Sequence, residues 1–423
     1  MLLIQNGRVI DPESNFDEIC DILVKEDRIV KIQKDIEKTK EMQVIDATGC
    51  VVAPGLVDVH VHFRDPGFTY KEDIETGAKA ALKGGFTSVV LMANTKPAVD
   101  NVETLEYVLE KGKQTDLHIY SCATVTKAMA GKELVDMPKL LAAGAAGFTD
   151  DGIPIMDEAM MEQAMCAAAK CEVPISLHEE DPSLIANNGV NRGKASAHFQ
   201  IGGSPREAES TLIARDLEIA KRTGAILNIQ HISTKEGVEL VRQAKNMPEG
   251  KNIHAEATPH HFSFTEEETI EKGTLAKMNP PLREEADRQA ILQGLQDGTI
   301  DIIATDHAPH SKEEKEKPIT EAPSGIIGLE TALSLGIMNL VDTKMLSMSK
   351  FLACMTCNPA NMYHLSCGTL QTEKTADIVI FHPEQSWTAD SFVSKSENSP
   401  LLGASLKGKV LYTICSGKIV YQA

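Results

Sequence analysis

The stretch Asp58-Val-His-Val-His-Phe-Arg-Asp-Pro-Gly67 lies at the end of a short apolar run. Side chains of a β-strand alternate between its two faces, so His60 and His62 point to the same side. Two neutral imidazoles at the end of one strand can bind one divalent ion, and zinc suits them well. A single His-x-His pair is weak evidence, because two histidines also occur at this spacing by chance. Residues of the metal-binding type recur after other apolar runs, and this recurrence indicates a metal site.

Seven further apolar runs follow the first, and stretches with a helical pattern, such as 72–83 and 210–223, separate them. A strand followed by a helix, repeated along the chain, predicts parallel βα units. Eight such units over about 310 residues fit an α/β fold of the (β/α)8 TIM-type barrel. A doubly wound sheet is the alternative, but it would carry a glycine-rich phosphate loop after its first strand, and none is present. The predicted barrel strands are 56–63, 88–94, 117–124, 146–150, 173–178, 225–231, 253–258 and 301–306.

Both ends of the chain carry short β-rich runs separated by turn residues. Neither end alone is expected to form a stable hydrophobic core, so the two are predicted to fold together into one small β-sandwich-like domain. Residues 1–53 and 365–423 would form this small domain, and residues 54–364 would form the catalytic barrel. The predicted strands of the small domain are 2–4, 19–24, 28–32, 43–46, 51–53, 378–381, 410–414 and 418–421.

The composition narrows the class of protein. The 423 residues carry a formal net charge of −19, which argues against nucleic-acid binding, and an anionic substrate would need local cations. The chain contains no run of about 18 apolar residues, so no membrane span is predicted. No signal peptide is evident either, so a cytoplasmic location is expected. The nine scattered cysteines are then expected to be free thiols, with Cys354 and Cys357 structural.

Polar residues follow most of the predicted barrel strands, at the end where the active site of such a barrel lies. Four histidines and two aspartates are too many for one tetrahedral zinc with an open position, so two metals are the natural interpretation. Each of His178 and His231 alone could be an ordinary buried histidine, and Asp150 or Asp151 alone a turn residue. Their shared position at strand ends favours the metal site. The strand-end candidates are His60, His62, Arg64, Asn94, Asp150, Asp151, His178, His231, Asp306 and His310.

The remaining histidines lack this pattern. His198, His254, His260 and His261 are each expected to be structural, and His260 is the first candidate for an exception.

Five stretches of the chain together resemble the amidohydrolase superfamily and, within it, the dihydroorotases of the longer bacterial class. The similarity covers essentially the whole chain, and the contexts of Arg64 and Asn94 narrow it to the dihydroorotases. The stretches are Asp58–Gly67, Asn94-Thr-Lys-Pro-Ala-Val-Asp100, Phe148-Thr-Asp-Asp-Gly152, Met278-Asn-Pro-Pro-Leu-Arg283 and Ile303-Ala-Thr-Asp-His-Ala-Pro-His310.

The resemblance implies a zinc centre with one or two ions per chain, two being favoured, although manganese, cobalt or iron suit the same ligands. Many superfamily relatives bridge their two metals with a carbamylated lysine, whereas this chain offers Asp150 and Asp151 at that place. Fit to the family motif selects Asp151 as the bridge. The implied ligands are His60 and His62 for the first metal, His178 and His231 for the second, and Asp306, which is also the catalytic carboxylate.

The implied reaction is the reversible cyclisation of N-carbamoyl-L-aspartate to (S)-dihydroorotate in de novo pyrimidine (UMP) biosynthesis. In the ring-opening direction, zinc-bound hydroxide would attack the ring carbonyl, and Asp306 would serve as general base and then as general acid. The small-molecule substrate carries a carboxylate that Arg64 can bind through two hydrogen bonds. The implied substrate contacts are His62, Arg64, Asn94, Asn279, His310, Ser324 and Gly325.

The charged segment 311–317 is expected to be mobile and solvated, with a lid as one possible role. A homodimer is expected, and association with aspartate transcarbamoylase occurs in some relatives. One alternative function is a related cyclic amidase, such as dihydropyrimidinase (hydantoinase) or allantoinase, although those enzymes usually carry the bridging lysine. Another is an inactive amidohydrolase-like scaffold, which would typically have lost several ligands.

Overall fold

Two eight-stranded sheets organise the computed structural model, which describes all 423 residues. Strands β1–β5 and β14–β16 form one sheet, and β6–β13 form the other. The strands are β1 Leu2–Asp11, β2 Phe16–Lys25, β3 Arg28–Gln33, β4 Gln43–Asp46, β5 Val51–Pro54, β6 Leu56–Val61, β7 Phe86–Leu91, β8 His118–Ala123, β9 Gly147–Phe148, β10 Pro174–Leu177, β11 Ile226–Ile229, β12 Ile253–Ala257, β13 Ile302–Ile303, β14 Ile378–Thr388, β15 Ser405–Cys415 and β16 Lys418–Gln422.

Helices connect the strands of the second sheet. The α-helices are α1 Ile74–Lys83, α2 Val102–Gly112, α3 Met137–Ala142, α4 Glu158–Cys171, α5 Lys194–Phe199, α6 Arg206–Thr223, α7 Lys235–Lys245, α8 Pro259–Ser263, α9 Glu266–Lys272, α10 Glu285–Asp297, α11 Lys312–Lys315, α12 Ala332–Gly336, α13 Met348–Ala353 and α14 Cys357–Met362. Short 3-10 segments lie at Lys127–Met129, Pro182–Leu184, Pro248–Asn252 and Gly273–Ala276, and a π-helical turn at Ile337–Val341.

Some helix boundaries coincide with local capping residues. Asp73 caps α1 in a reciprocal pair with Thr76, which satisfies backbone donors that the first turn leaves free. Helix α6 ends at Gly224, whose φ of 73° places it in the left-handed region that terminates helices most readily when glycine supplies it. The sequence therefore marks the start of α1 and the end of α6.

The second sheet is a barrel of parallel strands in the order of the chain, from β6 to β13. All eight predicted barrel strands are present, mostly shorter than predicted by one to four residues, so the predicted (β/α)8 fold is confirmed. Apolar side chains of strands and surrounding helices form a core of 70 buried residues. Such a core fixes the strand ends rigidly, and the carboxyl ends of the strands share one rim.

The seam between the first and last barrel strands closes through the residues at their ends. Val61 and His307 form a parallel bridge, and the backbone N–H of His62 donates to the carbonyl of His307 over 2.9 Å. The buried carboxylate of Asp58 accepts the backbone N–H of Thr305 at 3.2 Å, and burial raises the pKa of Asp58 to about 7. The seam thus brings the first and the last motif of the chain side by side.

The first sheet combines the two ends of the chain. Strand β5 pairs with β1 in parallel and with β14 antiparallel, and this joins the N-terminal strands to the C-terminal ones. A separate core of 16 buried residues fills one face of the sheet. Ile10, Val51 and Phe381 instead belong to the large core of the barrel. The sheet therefore packs against the barrel. The domain boundaries, 1–53 with 365–423 for the small domain and 54–364 for the barrel, stay a prediction.

No helix has both the length and the apolar character that crossing a bilayer requires. All nine cysteines are free, as predicted. Cys354 and Cys357 are buried, and neither lies in a group of side chains able to bind a metal, which agrees with a structural role.

Candidate active site

A cavity of about 440 Å³ opens at the carboxyl end of the barrel strands. Of the predicted ligands and substrate contacts, only His60 does not line it, because this side chain is completely buried beneath the others. The predicted residues that line the cavity are His62, Arg64, Asn94, Asp151, His178, His231, Asn279, Asp306, His310, Ser324 and Gly325.

The carboxylate of Asp151 lies between two pairs of histidines. Its Oδ1 is 3.6 Å from Nε2 of His60, and its Oδ2 is 3.4 Å from Nε2 of His62. On the other side, Nδ1 of His178 and Nε2 of His231 are each 4.0 Å from Oδ1. These two imidazole nitrogens are themselves 3.0 Å apart. One carboxylate is thus shared by two convergent pairs of imidazoles.

Each histidine pair with Asp151 forms a buried group whose ligand atoms lie within 4.8 Å of one another. Nε2 of His60 is buried and has no hydrogen-bond partner, although it points at the carboxylates. A buried nitrogen without a partner is costly unless something else occupies its lone pair. Nitrogen and oxygen donors that lie this close together can bind a divalent cation, so the residues present suit a metal centre.

Asp306 completes the group from the last barrel strand. Its Oδ1 lies 3.1 Å from Nε2 of His62 and 3.5 Å from Nε2 of His60. Burial acts to raise the pKa of Asp306, but the hydrogen bond with His62 and the charge of His60 outweigh it and lower this pKa to about 2. Asp306 is therefore a carboxylate that faces both the histidine pair and the cavity.

Three of these residues have left-handed backbone conformations. The φ angle is 60° at Arg64, 32° at His231 and 49° at Asp306, and each residue follows the end of a barrel strand. Residues other than glycine rarely adopt such φ angles. Those that do cluster at functional sites, where the surrounding structure holds the backbone in place. The sequence carries no local signal for these turns.

Behind His60, a buried carboxylate fixes the orientation of the ring. Oε2 of Glu256 lies 3.0 Å from Nδ1 of His60, and Asn228 donates to the other carboxylate oxygen over 2.5 Å. An acceptor at Nδ1 places the ring proton there and leaves Nε2 free to bind a metal. Glu256 was not predicted as a site residue, although a glutamate inside the predicted strand 253–258 was a usable signal.

Glu256→Gln is expected to weaken metal binding about 10- to 100-fold, because the carboxylate that orients His60 is lost. Competition with a chelator would measure the metal affinity. Glu249, which is exposed and forms no side-chain hydrogen bond, gives the matched control Glu249→Gln. Equal metal affinities of the two variants would show that Glu256 does not orient the ligand.

Asn94 links two of the candidate ligands. Its Oδ1 lies 3.0 Å from Nδ1 of His62, and its Nδ2 donates to Oδ2 of Asp151 over 3.0 Å. Sequence analysis predicted Asn94 as a substrate contact. The amide lines the cavity, but its hydrogen bonds also hold His62 and Asp151 in place.

His178 is oriented from its other ring nitrogen. Its Nε2 lies 3.4 Å from a carboxylate oxygen of Glu180 and 3.2 Å from Nδ2 of Asn279. Nδ1 therefore faces His231 and Asp151. The Oδ1 atom of Asn279 is buried and has no hydrogen-bond partner, so it remains available to a ligand in the cavity.

Arg64 stands in the cavity without an acidic partner. Its Nε donates to the carbonyl of Pro309 over 3.2 Å, and its Nη2 lies 3.4 Å from Nε2 of His310. A structural ion pair with its sequence neighbour Asp65 would be the alternative role for Arg64. Asp65 instead pairs with Lys111 at 2.8 Å, which leaves the guanidinium free for an anion in the cavity.

Ser324 and Gly325 form the opposite wall. Ser324 donates from its hydroxyl to Asn188 over 2.6 Å, and its carbonyl oxygen lies 2.9 Å from Nε2 of His310. Gly325 has a φ of 149°, and a Cβ there would lie 2.7 Å from the carbonyl oxygen of Ala308. Only glycine fits this close approach of two loops.

The charged segment 311–317 differs from expectation. Lys315 is buried, and its ammonium donates to the carbonyls of Pro323 and Gly325 over 3.0 and 2.9 Å. Glu314 binds the hydroxyl of Tyr70 over 2.8 Å. The expectation of a wholly solvated segment is therefore wrong, since burying Lys315 attaches α11 to the wall of the cavity.

The other histidines lie outside the two metal-type groups. His198 is exposed, His254 pairs with Asp301 at 2.8 Å, and His261 bonds to a backbone carbonyl at 3.0 Å. His260 is buried without a side-chain partner, yet it lines no part of the cavity. A third group of His118, Asp377 and Cys415 lies elsewhere, and an ion pair of 3.1 Å between its histidine and aspartate accounts for it.

A parallel barrel with buried histidine pairs and a shared carboxylate at its carboxyl rim defines a metal-dependent amidohydrolase. Structures of this class are similar to the chain: the L-hydantoinase (dihydropyrimidinase) of Arthrobacter aurescens has a TM-score of 0.87 at 25% identity, covering 100% of this chain and 96% of that one. The D-hydantoinase of a Thermus species has a TM-score of 0.85 at 24% identity, over 100% and 95% of the two chains.

The sequence comparisons are more specific. A profile described as Dihydro-orotase-like matches residues 49–237. The dihydroorotase of Clostridioides difficile (strain 630) is 56% identical over 423 residues, and that of Clostridium acetobutylicum is 51% identical over 424, each covering 100% of both chains. The dihydroorotase of Streptococcus pneumoniae serotype 4 is 50% identical, again over 100% of both. The chain belongs to the dihydroorotase family.

Proposed function

We propose that this chain catalyses the reversible cyclisation of N-carbamoyl-L-aspartate to (S)-dihydroorotate, a step of de novo pyrimidine biosynthesis, with zinc as its metal. The observation that carries the proposal is the unpaired guanidinium of Arg64 beside the metal-type groups. A carboxylate-bearing cyclic amide needs both a cation for its carboxylate and an electrophilic centre for its amide bond. The cavity offers these two features next to each other.

We further propose that two zinc ions bind per chain. The imidazole-rich donor set suits zinc, and Asp151 belongs to both groups of ligands, which supports two ions bridged by one carboxylate. The proposed ligands are His60, His62, Asp151, His178, His231 and Asp306. Zinc so bound would act as a Lewis acid that polarises a carbonyl oxygen and lowers the pKa of a water to about 7.

Asp306 is the proposed acid and base. Because its pKa is low, it is ionised at neutral pH and can accept the proton of the attacking water in the ring-opening direction. The same carboxyl then gives this proton to the departing ring nitrogen. In the ring-closing direction, it accepts the proton of the ureido nitrogen as that nitrogen attacks the carboxyl carbon. One side chain therefore serves both directions of the reaction.

Arg64 is proposed to hold the substrate carboxylate, since a guanidinium binds a carboxylate through two parallel hydrogen bonds. The chain has a net charge of −19, so this local cation must overcome an unfavourable overall field. The free Oδ1 of Asn279 is proposed to accept an N–H of the ring or the ureido group. His62, Asn94, His310, Ser324 and Gly325 complete the proposed substrate contacts.

Arg64→Met is expected to lower kcat/KM for dihydroorotate about 100-fold or more, because a desolvated charge pair loses one partner. Metal content should stay unchanged, since Arg64 contacts no candidate metal ligand atom directly. Arg192, an exposed arginine without an ion pair, gives the control Arg192→Met. Ring opening followed by absorbance, together with metal analysis, would measure both quantities.

The substrate assignment itself is tested with the wild-type protein. Dihydroorotate should open faster than dihydrouracil or hydantoin, which lack the carboxylate. Faster opening of dihydrouracil would instead identify a dihydropyrimidinase. Assembly as a homodimer, association with aspartate transcarbamoylase and cytoplasmic location stay predictions, and sedimentation would test the first two.

A further inference from the structure

Lys71 lies directly behind the wall of the substrate cavity. It precedes α1 and is only 8% exposed, with its ammonium 5.3 Å from the ring centre of Phe68. The same ammonium lies 3.2 Å from Nδ1 of His310 and 2.9 Å from a carboxylate oxygen of Glu314. Lys71 does not line the cavity, so any effect it has on a ligand must pass through His310.

The two ring nitrogens of His310 face groups of opposite kind. Nε2 lies 2.9 Å from the carbonyl oxygen of Ser324, and a carbonyl can only accept, so Nε2 carries a proton. Nδ1 faces the ammonium of Lys71, which can only donate. These partners together define a neutral imidazole that is protonated at Nε2 and accepts at Nδ1.

A doubly protonated ring is disfavoured in this place. The Nη2 atom of Arg64 lies 3.4 Å from Nε2, so cations stand at both ends of the imidazole. Burial is the largest of the causes that lower the pKa of His310 to about 3. The charges of Arg64 and Lys71 also lower this pKa, whereas the hydrogen bond with Glu314 raises it. His310 is therefore neutral at physiological pH, and its tautomer decides what the ring offers to the cavity.

Glu314 supplies the competing arrangement. Its Oε2 lies 3.3 Å from Nδ1 of His310 and would accept a proton there if Lys71 were absent. A carboxylate is a stronger acceptor than the carbonyl of Ser324, so the proton would then shift toward Nδ1, and Nε2 would present a lone pair toward the cavity. A lone pair at that position repels a carboxylate, whereas an N–H binds it.

We propose that Lys71 is a positioning residue that holds His310 in its Nε2-protonated tautomer, so that the Nε2–H bonded to the carbonyl of Ser324 is shared with the substrate carboxylate beside Arg64. The inference rests on the proposed function, because it needs a substrate that carries a carboxylate. It adds to that function a residue outside the cavity that determines how the carboxylate is recognised.

The tautomer can be read directly by nitrogen NMR of the ligand-free, metal-loaded protein labelled with 15N-histidine. His310→Asn identifies the signals that belong to this residue. The wild type should show Nε2 protonated and Nδ1 unprotonated, and Lys71→Met should show a measurable shift of the proton toward Nδ1. A proton on Nδ1 in the wild type would overturn the proposal, whether or not the variant folds.

Kinetics give the second readout. Lys71→Met should raise KM for dihydroorotate about tenfold or more, the effect of one hydrogen bond to a charged group. Its kcat should stay within about threefold of the wild type, because the lost contact binds substrate and transition state alike. Lys71→Arg keeps a cationic donor and should recover most of the affinity.

Glu314→Gln separates the tautomer from simple attachment of α11. This variant weakens the contacts of Glu314 with Lys71 and Tyr70 but keeps the ammonium at Nδ1, so KM should stay within about twofold of the wild type. An equal rise of KM in Glu314→Gln and Lys71→Met would overturn the proposal in favour of a structural role. If the wild type did not turn over dihydroorotate, the proposed function would fail, and the NMR result would still decide the tautomer.

Discussion

Asp306→Asn is expected to lower kcat for the opening of dihydroorotate about 1,000-fold, within the range that general acid–base catalysis supplies. An amide of the same shape keeps an oxygen near His60 and His62 but cannot take up a proton. The loss should appear in kcat and kcat/KM together, since the interaction acts in the transition state. Steady-state rates in both reaction directions would measure it.

The control for Asp306→Asn is Asp390→Asn, which removes the charge of an exposed aspartate that forms no side-chain hydrogen bond. Metal content must be determined for the same samples, because Asp306 is also a proposed ligand. A variant that holds its metal and keeps more than about a tenth of the wild-type kcat would contradict the assignment of Asp306 as acid and base.

Asp151→Ala is expected to have the other large effect, the loss of at least one metal per chain and of nearly all turnover. The carboxylate is common to both groups of candidate ligands, so its removal leaves each group with two imidazoles and only Asp306 as a carboxylate ligand. Because metal-activated water is lost with the ion, kcat should fall about 1,000-fold or more. Metal analysis after gel filtration, with zinc added back, would measure binding and activity.

The neighbouring residue provides the control. Asp150 accepts the backbone N–H of Val125 over 2.8 Å, and burial raises its pKa to about 6. Its contacts are structural, so Asp150→Asn should lower the melting temperature and leave the metal content unchanged. The opposite result, with metal lost from the Asp150 variant and kept by the Asp151 variant, would show that the bridging carboxylate has been assigned to the wrong residue.

The barrel and the positions of its candidate ligands were accessible from sequence because both depend on local periodicity. Short apolar runs identify parallel strands, and a polar residue directly after such a run must lie at the shared rim. That reasoning placed His178, His231 and Asp306 correctly at the cavity without any contact information. Choosing between Asp150 and Asp151 required the family motif, since adjacent residues share one strand end.

The supporting contacts were not accessible, because they join residues that are distant in sequence. Glu256 meets His60 across 196 positions, and Lys71 meets His310 across 239. The periodicity of the sequence does not indicate which buried carboxylate or ammonium will contact a given imidazole ring. The segment 311–317 was misjudged for the same reason, since its charge predicts solvent exposure and only tertiary contacts bury Lys315.

The closed seam of the barrel sets the order in which the enzyme can mature. His62 leaves the ribosome 244 residues before Asp306, its partner across that seam. Pairings of such long range form late, after the intervening helices have been made. A metal ion therefore cannot act as a template for the nascent chain and would instead bind the finished fold, stabilising it by mass action. Protein made in metal-starved cells should consequently be folded but inactive, and it should recover activity when the metal ion is added.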